Sequence, residues 1–241
     1  MGENEAFRFP DPSAAASDRP LCAGGNLSPG MLLSAYAQGV FPWFSPDDPI
    51  LWWNPDPRFI LLPTELHISG TMRKILKKNP FSLRLDTAFA EVIHACAAVP
   101  RAGQSGTWIT DDIMEAYIIM HGLGYAHSVE AWKDDSLVGG LYGISLGSAF
   151  FGESMFSIEP NASKAAFIPL VLCLADRGFS LVDSQVRTRH VASLGGKEVP
   201  RSEYLSRLAR AMDNPTLKGS WDTLIPEFPD STGYRALLGQ T

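Results

Sequence analysis

Two apolar runs that each carry one acid constrain this chain more than any other feature. The first, Phe150-Phe151-Gly152-Glu153-Ser154-Met155-Phe156-Ser157, sets Glu153 among four large apolar side chains. The second, Leu181-Val182-Asp183-Ser184-Gln185-Val186, again places one acid, Asp183, in an apolar run. A lone carboxylate in such surroundings is costly unless it is paired or hydrogen-bonded. The segment between the runs, about Ala162 to Arg177, is helix-like, with Pro169 inside it as an expected kink. Strand, helix and strand in that order form a crossover with parallel, adjacent strands. Both carboxylates then come to the ends of neighbouring strands. Taken singly, Glu153 reads as half of a structural ion pair and Asp183 as a turn cap, so the rest of the chain has to decide.

The remaining pattern predicts an α+β fold. Strands at 127–132, 137–145 and 148–153 are separated by short turns, which requires antiparallel pairing. Helical periodicity runs over 66–78, 87–98, 110–121 and 202–212. Upstream, Ser28 and Pro29 open a helix and Gly39 closes it. A proline-dense aromatic passage follows, Phe41-Pro42-Trp43-Phe44-Ser45-Pro46 and then Leu51-Trp52-Trp53-Asn54-Pro55-Asp56-Pro57-Arg58, and it forbids helix. The expected organisation is a flexible tail over 1–20, a small N-terminal unit over 21–64 that includes a strand at Phe59–Leu62, a larger domain over 65–212, and a loose C-terminal tail over 213–241.

Composition narrows the function. With 45% hydrophobic and 19% charged residues, the chain can build a packed core. A formal net charge of −6 argues against a generic nucleic-acid coat, though not against a local basic patch. The three cysteines are widely spaced, and the five histidines show no metal-ligand spacing, so neither a disulfide framework nor a metal is implied. No secretory leader and no bilayer-length apolar run is read, so a cytoplasmic protein is expected.

Three groups of residues are candidates for a site. Arg73, Lys74, Lys77 and Lys78 share one helix face, either as a solvated surface or as a phosphate contact. Trp43, Trp52, Trp53 and Trp108 lie outside amphipathic patterns and could stack on a base. Trp43 and one of the Trp52/Trp53 pair are assigned to a small aromatic core, because adjacent side chains of an extended piece point to opposite sides. Asp183 and Gln185, two apart in a strand, share a face and could together hold a free amino group.

Seven segments in order carry a resemblance: Trp52–Arg58, Thr107–Thr110, His127–Trp132, Phe150–Ser157, Ala162–Lys164, Asp183–Val186 and His190–Gly195. From about Leu27 to Met212 the chain strongly resembles the bacterial leucyl/phenylalanyl-tRNA–protein transferases. The resemblance implies a small N-terminal domain followed by a GNAT-like acyltransferase domain, acting as a monomer without a cofactor. It implies transfer of Leu or Phe, and possibly Met, from aminoacyl-tRNA to the N-terminal Arg or Lys of a protein, marking it for degradation. By position, Glu153, Asp183 and Gln185 match the family's active-site acids and amide. Trp52 or Trp53, with Trp108 nearby, matches the tryptophan that stacks on the terminal adenosine. Met155, Phe167, Leu170 and Val182 match the amino-acid pocket, and the basic helix matches the surface that holds the tRNA acceptor stem. In the chemistry so implied, an ester is opened by an amine. Asp183 acts through Gln185 on the incoming amine, and Glu153 holds the donor's own α-amino group. The alternative is a GNAT-like acetyltransferase using acetyl-CoA. Ile158-Glu159-Pro160-Asn161-Ala162-Ser163 lacks the glycines such a pyrophosphate cradle would need.

Overall fold

The structure is a computed structural model that describes residues 2–14, 16–99 and 107–239, so the outermost ends of both predicted tails lie outside it. Near the N-terminus, β1 (Cys22–Ala23) and β2 (Phe41–Pro42) flank β3 (Leu51–Trp53), both antiparallel to it. Helix α1 (Pro29–Ala37) carries proline in its first turn and stops ahead of Gly39, whose φ of 76° suits a residue without Cβ. Ser28 precedes the helix but makes no side-chain cap bond, contrary to the capping role expected of it.

A seven-stranded mixed sheet follows. β4 (Arg58–Leu61) belongs to it, rather than to the small N-terminal unit where the sequence put this strand. Helix α2 (Gly70–Lys78) starts later than predicted because Ser69 accepts a hydrogen bond from the Met72 amide and so caps it. Then come β5 (Ser82–Leu85), α3 (Phe89–Ala98), α4 (Asp111–Gly122), β6 (Ala126–Lys133), β7 (Ser136–Leu146), β8 (Ala149–Ser157) and α5 (Ala162–Asp176). Pro169 lies inside α5, which is a single element. The chain continues through β9 (Leu181–Asp183), α6 (Arg189–Ala192), β10 (Lys197–Val199), α7 (Arg201–Met212), α8 (Trp221–Leu224) and α9 (Thr232–Leu238). The strand order is β10-β4-β9-β8-β7-β6-β5. All pairs are antiparallel except β8 with β9, the parallel pair that the crossover required.

The sheet separates two cores. On one face α1, α3, α4 and α7 bury Leu32, Tyr36, Val92, Tyr117, Phe151 and Tyr204. On the other, α2, α5 and the C-terminal helices bury Met72, Phe150, Phe167, Leu170 and Trp221. Strict alternation would put Phe151 and Phe156, five residues apart, on opposite faces, yet both belong to the first core. The cause is a β-bulge. Tyr142 pairs with Ser154 and Gly143 with Gly152, so Glu153 is an extra residue with no partner on β7. Gly143 makes room for it, since a Cβ there would come 2.2 Å from the Phe151 carbonyl oxygen.

Each terminal segment puts an aromatic side chain into a core. Phe9 is buried, packs edge-on to Trp52 at 4.9 Å, and donates its amide N–H to the Gln38 side-chain oxygen. Trp221 is fully buried, stacks on His127 at 3.8 Å, and donates its amide N–H to Asp86. The predicted looseness followed from Pro and Gly content, which punctuates the chain but does not stop its aromatics from finding a core. Trp221→Ala should therefore cost about 3–5 kcal/mol in urea unfolding, whereas a free tail would register no change.

Candidate active site

β8 and β9 pair only from Ala149/Leu181 to Phe151/Asp183. β9 then ends, and Gln185 turns the chain with a φ of 62°. β8 runs on through Ser157 without that neighbour, and a cavity of about 560 Å³ opens along its unpaired half. Gly152 to Ser157 form one wall, and Asp183 to Val186 form another. Trp43 and Trp108 stand at the border, and Phe167, Val182 and Val191 add apolar surface.

Glu153 is half-buried in the first wall, aimed by the bulge toward α1 and α4. Tyr36 donates to its Oε1 at 2.7 Å, the Gln185 side-chain amide donates to the same oxygen at 2.9 Å, and Tyr117 lies 3.3 Å from Oε2. The two tyrosine hydroxyls also bond to each other. Burial pushes the Glu153 carboxyl up to about 7; the tyrosine and glutamine donors oppose that rise and the charge of Asp183 adds to it. Burial, reinforced by Glu153, likewise holds both tyrosines neutral, well above the ordinary phenol range.

Asp183 is held by contacts that its place in the sequence does not announce. The residue is fully buried and both oxygens are occupied. Oδ1 accepts from Arg58 Nε at 2.9 Å and from the Gln185 backbone N–H at 2.8 Å. Oδ2 accepts from Arg58 Nη2 and from Tyr204, each at 2.7 Å. The guanidinium lies over the rings of Phe41 and Tyr204, 4.8 and 4.4 Å from their centroids. Burial opposes its charge, but Asp183 holds its pKa above the usual range. Asp183 thus has no oxygen left for an incoming amine. Nor do Asp183 and Gln185 share a strand face, because β9 stops at Asp183 and the left-handed turn re-aims Gln185 toward Glu153. The predicted pairing of the two side chains is replaced by a backbone link between them.

The tryptophans are also redistributed. Trp52 is buried at 1% exposure, bonded to the Gly24 carbonyl, and belongs to the core. Trp53 is half-buried and donates to the Trp43 carbonyl at 2.6 Å, with the two rings 5.5 Å apart. Trp43, assigned to a core by sequence, is 36% exposed and borders the cavity instead, as Trp108 does. Met155, Phe167 and Val182 line the cavity, whereas Leu170 is buried in the core behind it. Arg73, Lys74, Lys77 and Lys78 are exposed on α2, which packs its Met72 and Leu76 face inward, and none of the four lines the cavity. Among the described residues, no cluster of His, Cys, Asp or Glu could hold a metal, and no helix is long and apolar enough to cross a membrane.

This geometry can be set beside known proteins. The family model described as leucyl/phenylalanyl-tRNA protein transferase matches residues 60–209, and the model of that family's N-terminal domain matches residues 25–56. The chain belongs to this family. Leucyl/phenylalanyl-tRNA–protein transferases similar to it include one from Syntrophus aciditrophicus (strain SB), 54% identical over 222 residues and covering 92% of each chain. Another, from Anaeromyxobacter sp. (strain Fw109-5), is 52% identical over 214 residues, 89% of this chain and 91% of the relative. A third, from Myxococcus xanthus (strain DK1622), is 52% identical over 213 residues. As a member of the leucyl/phenylalanyl-tRNA–protein transferases, the chain is an aminoacyltransferase with an aminoacyl-tRNA donor and a protein acceptor.

Sequence reading of this transferase passed over Tyr36, Tyr117, Arg58 and Tyr204. A signal existed for the tyrosines: each sits on the inward face of a predicted helix, and a buried tyrosine hydroxyl needs a polar partner. Arg58 closes the quoted Trp52–Arg58 segment, but nothing local says that it folds back on Asp183. That pair gives Asp183 a structural part as well. Asp183→Asn would leave the guanidinium buried without its counter-ion, at a cost of about 3–5 kcal/mol in denaturant unfolding. Wild-type stability in that variant would show that the pair does not hold the site together.

Proposed function

We propose that the protein transfers Leu or Phe, and Met as well, from aminoacyl-tRNA to the α-amino group of an N-terminal Arg or Lys of an acceptor protein, in the cytoplasm and as a monomer. The product would carry a new N-terminal residue that marks it for degradation. The observation that carries this reading is the cavity itself. A carboxyl and a carboxamide meet at its wall, an apolar recess of Met155, Phe167 and Val182 lies within it, and two tryptophans stand at its border. The recess offers an unbranched or γ-branched side chain apolar surface, and selectivity there is graded because one methylene is worth only about 1–3 kcal/mol.

Trp43 and Trp108 are the residues we assign to the terminal adenosine, in place of Trp52 and Trp53. Gln185 has its Nε2 committed to Glu153, so its Oε1 remains to accept from the acceptor's amine. Glu153 faces the donor's α-amino group. The exposed cations of α2 hold the acceptor stem through its phosphates, a contact that weakens with salt. The catalytic domain, strands flanked by helices with a parallel pair at its opening, is read as GNAT-like, and the family assignment favours aminoacyl-tRNA over acetyl-CoA as its donor.

The direct test incubates the protein with labelled Leu-tRNA and a peptide that begins with Arg. Label should enter the peptide. Label appearing from acetyl-CoA and not from Leu-tRNA would replace the reading with its alternative. A second measurement separates the tryptophans: Trp43→Ala should weaken binding of an aminoacyl-adenosine by about 1–3 kcal/mol and leave the melting temperature near wild type. Trp52→Ala should do the reverse, unfolding more easily by about 3–5 kcal/mol.

A further inference from the structure

We propose that Glu153 takes the proton from the attacking amine and returns it to the leaving ribose oxygen, with Tyr36 and Tyr117 as positioning residues that hold its carboxylate ready. This rests on the transfer reading above. In that reaction the neutral amine nitrogen bonds to the ester carbonyl carbon and the bond from that carbon to the ribose oxygen breaks. The nitrogen sheds one proton and the oxygen needs one. The balance closes without an outside reagent if one group at the site ferries the proton.

Few groups on the cavity wall can do so. Asp183 is buried with both oxygens taken by Arg58, Tyr204 and the Gln185 amide. Gln185 has no useful basicity. His190 lines the cavity, but burial and the neighbouring Lys164 charge lower it to about 4, which makes it a weak base near neutral pH. Glu153 is left, and it is built for the task. The bulge frees it from the sheet, and Gln185, the residue assigned to the acceptor amine, touches it directly.

The tyrosines complete the device. Each hydroxyl has one proton to give. Tyr36 gives its own to Oε1, so the proton between the two hydroxyls comes from Tyr117. The contact from Tyr117 to Oε2, 3.3 Å, then has no proton of its own. It gains one when Glu153 is protonated on Oε2, because the Tyr117 oxygen is then an acceptor already in position. Resting and protonated forms are thus both provided for by groups that do not line the cavity. A carboxyl poised near neutrality, as burial makes this one, suits a proton carrier at that pH. The titratable and charged groups around it are Tyr36 on α1, Tyr117 on α4, Asp183 on β9 and Arg58 on β4, with Tyr142 on β7 packed edge-on to Tyr117.

The test is single-turnover transfer from saturating Leu-tRNA to an Arg-started peptide across about pH 5.5–9.5, with puromycin affinity and circular dichroism measured in parallel. Wild type should show two limbs rising with pH. One belongs to the acceptor's amine, near 7.7–8 when unperturbed, and moves when a peptide of different amine pKa is used. The other belongs to Glu153 and stays. Glu153→Gln should slow transfer about 10²–10⁴-fold at saturating donor and abolish the fixed limb. Tyr36→Phe removes a donor to the ionised form, so the fixed limb should move up by about one pH unit. Its rate should return toward wild type at high pH with puromycin affinity unchanged. Tyr117→Phe should move the limb less, and His190→Gln not at all. The proposal is overturned if the Tyr36→Phe limb stays in place while the rate drops uniformly. It is also overturned if the limb vanishes in His190→Gln, or if Glu153→Gln loses only affinity. If Tyr36→Phe does not fold, Tyr117→Phe and Glu153→Gln decide alone. Failure of wild type to transfer at all would overturn the function itself, a result distinct from any of these.

Discussion

The buried ion pair between Arg58 and Asp183 is the interaction on which the site depends. It joins β4 to β9, and through the shared Tyr204 hydroxyl it ties both strands to α7. Two charges taken from water need good geometry and further hydrogen bonds to be tolerated. Here the carboxylate accepts four bonds and the cation packs on two aromatic rings. One of the four comes from the Gln185 backbone, which fixes the chain where it leaves the sheet in a left-handed turn. A non-glycine residue held at positive φ costs energy that its surroundings must supply. The strand end, the turn and the direction of the Gln185 side chain therefore follow from one ion pair.

The second constraint is the bulge at Glu153. Without it β8 would alternate regularly, and Phe156 would leave the core that it shares with Phe151. With it, a carboxyl stands clear of the ladder at the point where β8 loses its parallel neighbour. The cavity and the carboxyl of Glu153 at its wall are thus products of two irregularities in one sheet, an extra residue on β8 and an early stop on β9. Around them the two cores provide rigid support. Their packing includes the terminal segments, through Phe9 on one face and Trp221 on the other.

The sequence by itself determined a good part of this protein. Alternation, turn spacing and helical periodicity follow from local geometry, so the antiparallel strands, the β8–α5–β9 crossover and most helix limits were legible from the order of residues. The two acids stood out because isolated carboxylates in apolar runs are costly, and ordered motifs of specific length pointed to the family. Only the tertiary structure decided which acid is paired with a cation and which is held by neutral donors. Arg58 lies 125 positions from Asp183, and no local pattern reports a contact of that separation. The same holds for Tyr36 and Tyr117, which come from different helices and meet only at Glu153. Trp43 and Trp52 could not be told apart in advance, because composition says that an aromatic will be buried or stacked but not which. A two-residue strand set the answer. Trp52 pairs with Pro42 and points into the core, and Trp43, one residue beyond, is left at the edge of the cavity. Chemistry in this fold depends on the directions of side chains after two breaks in regular structure, and those directions are fixed by packing from distant parts of the chain.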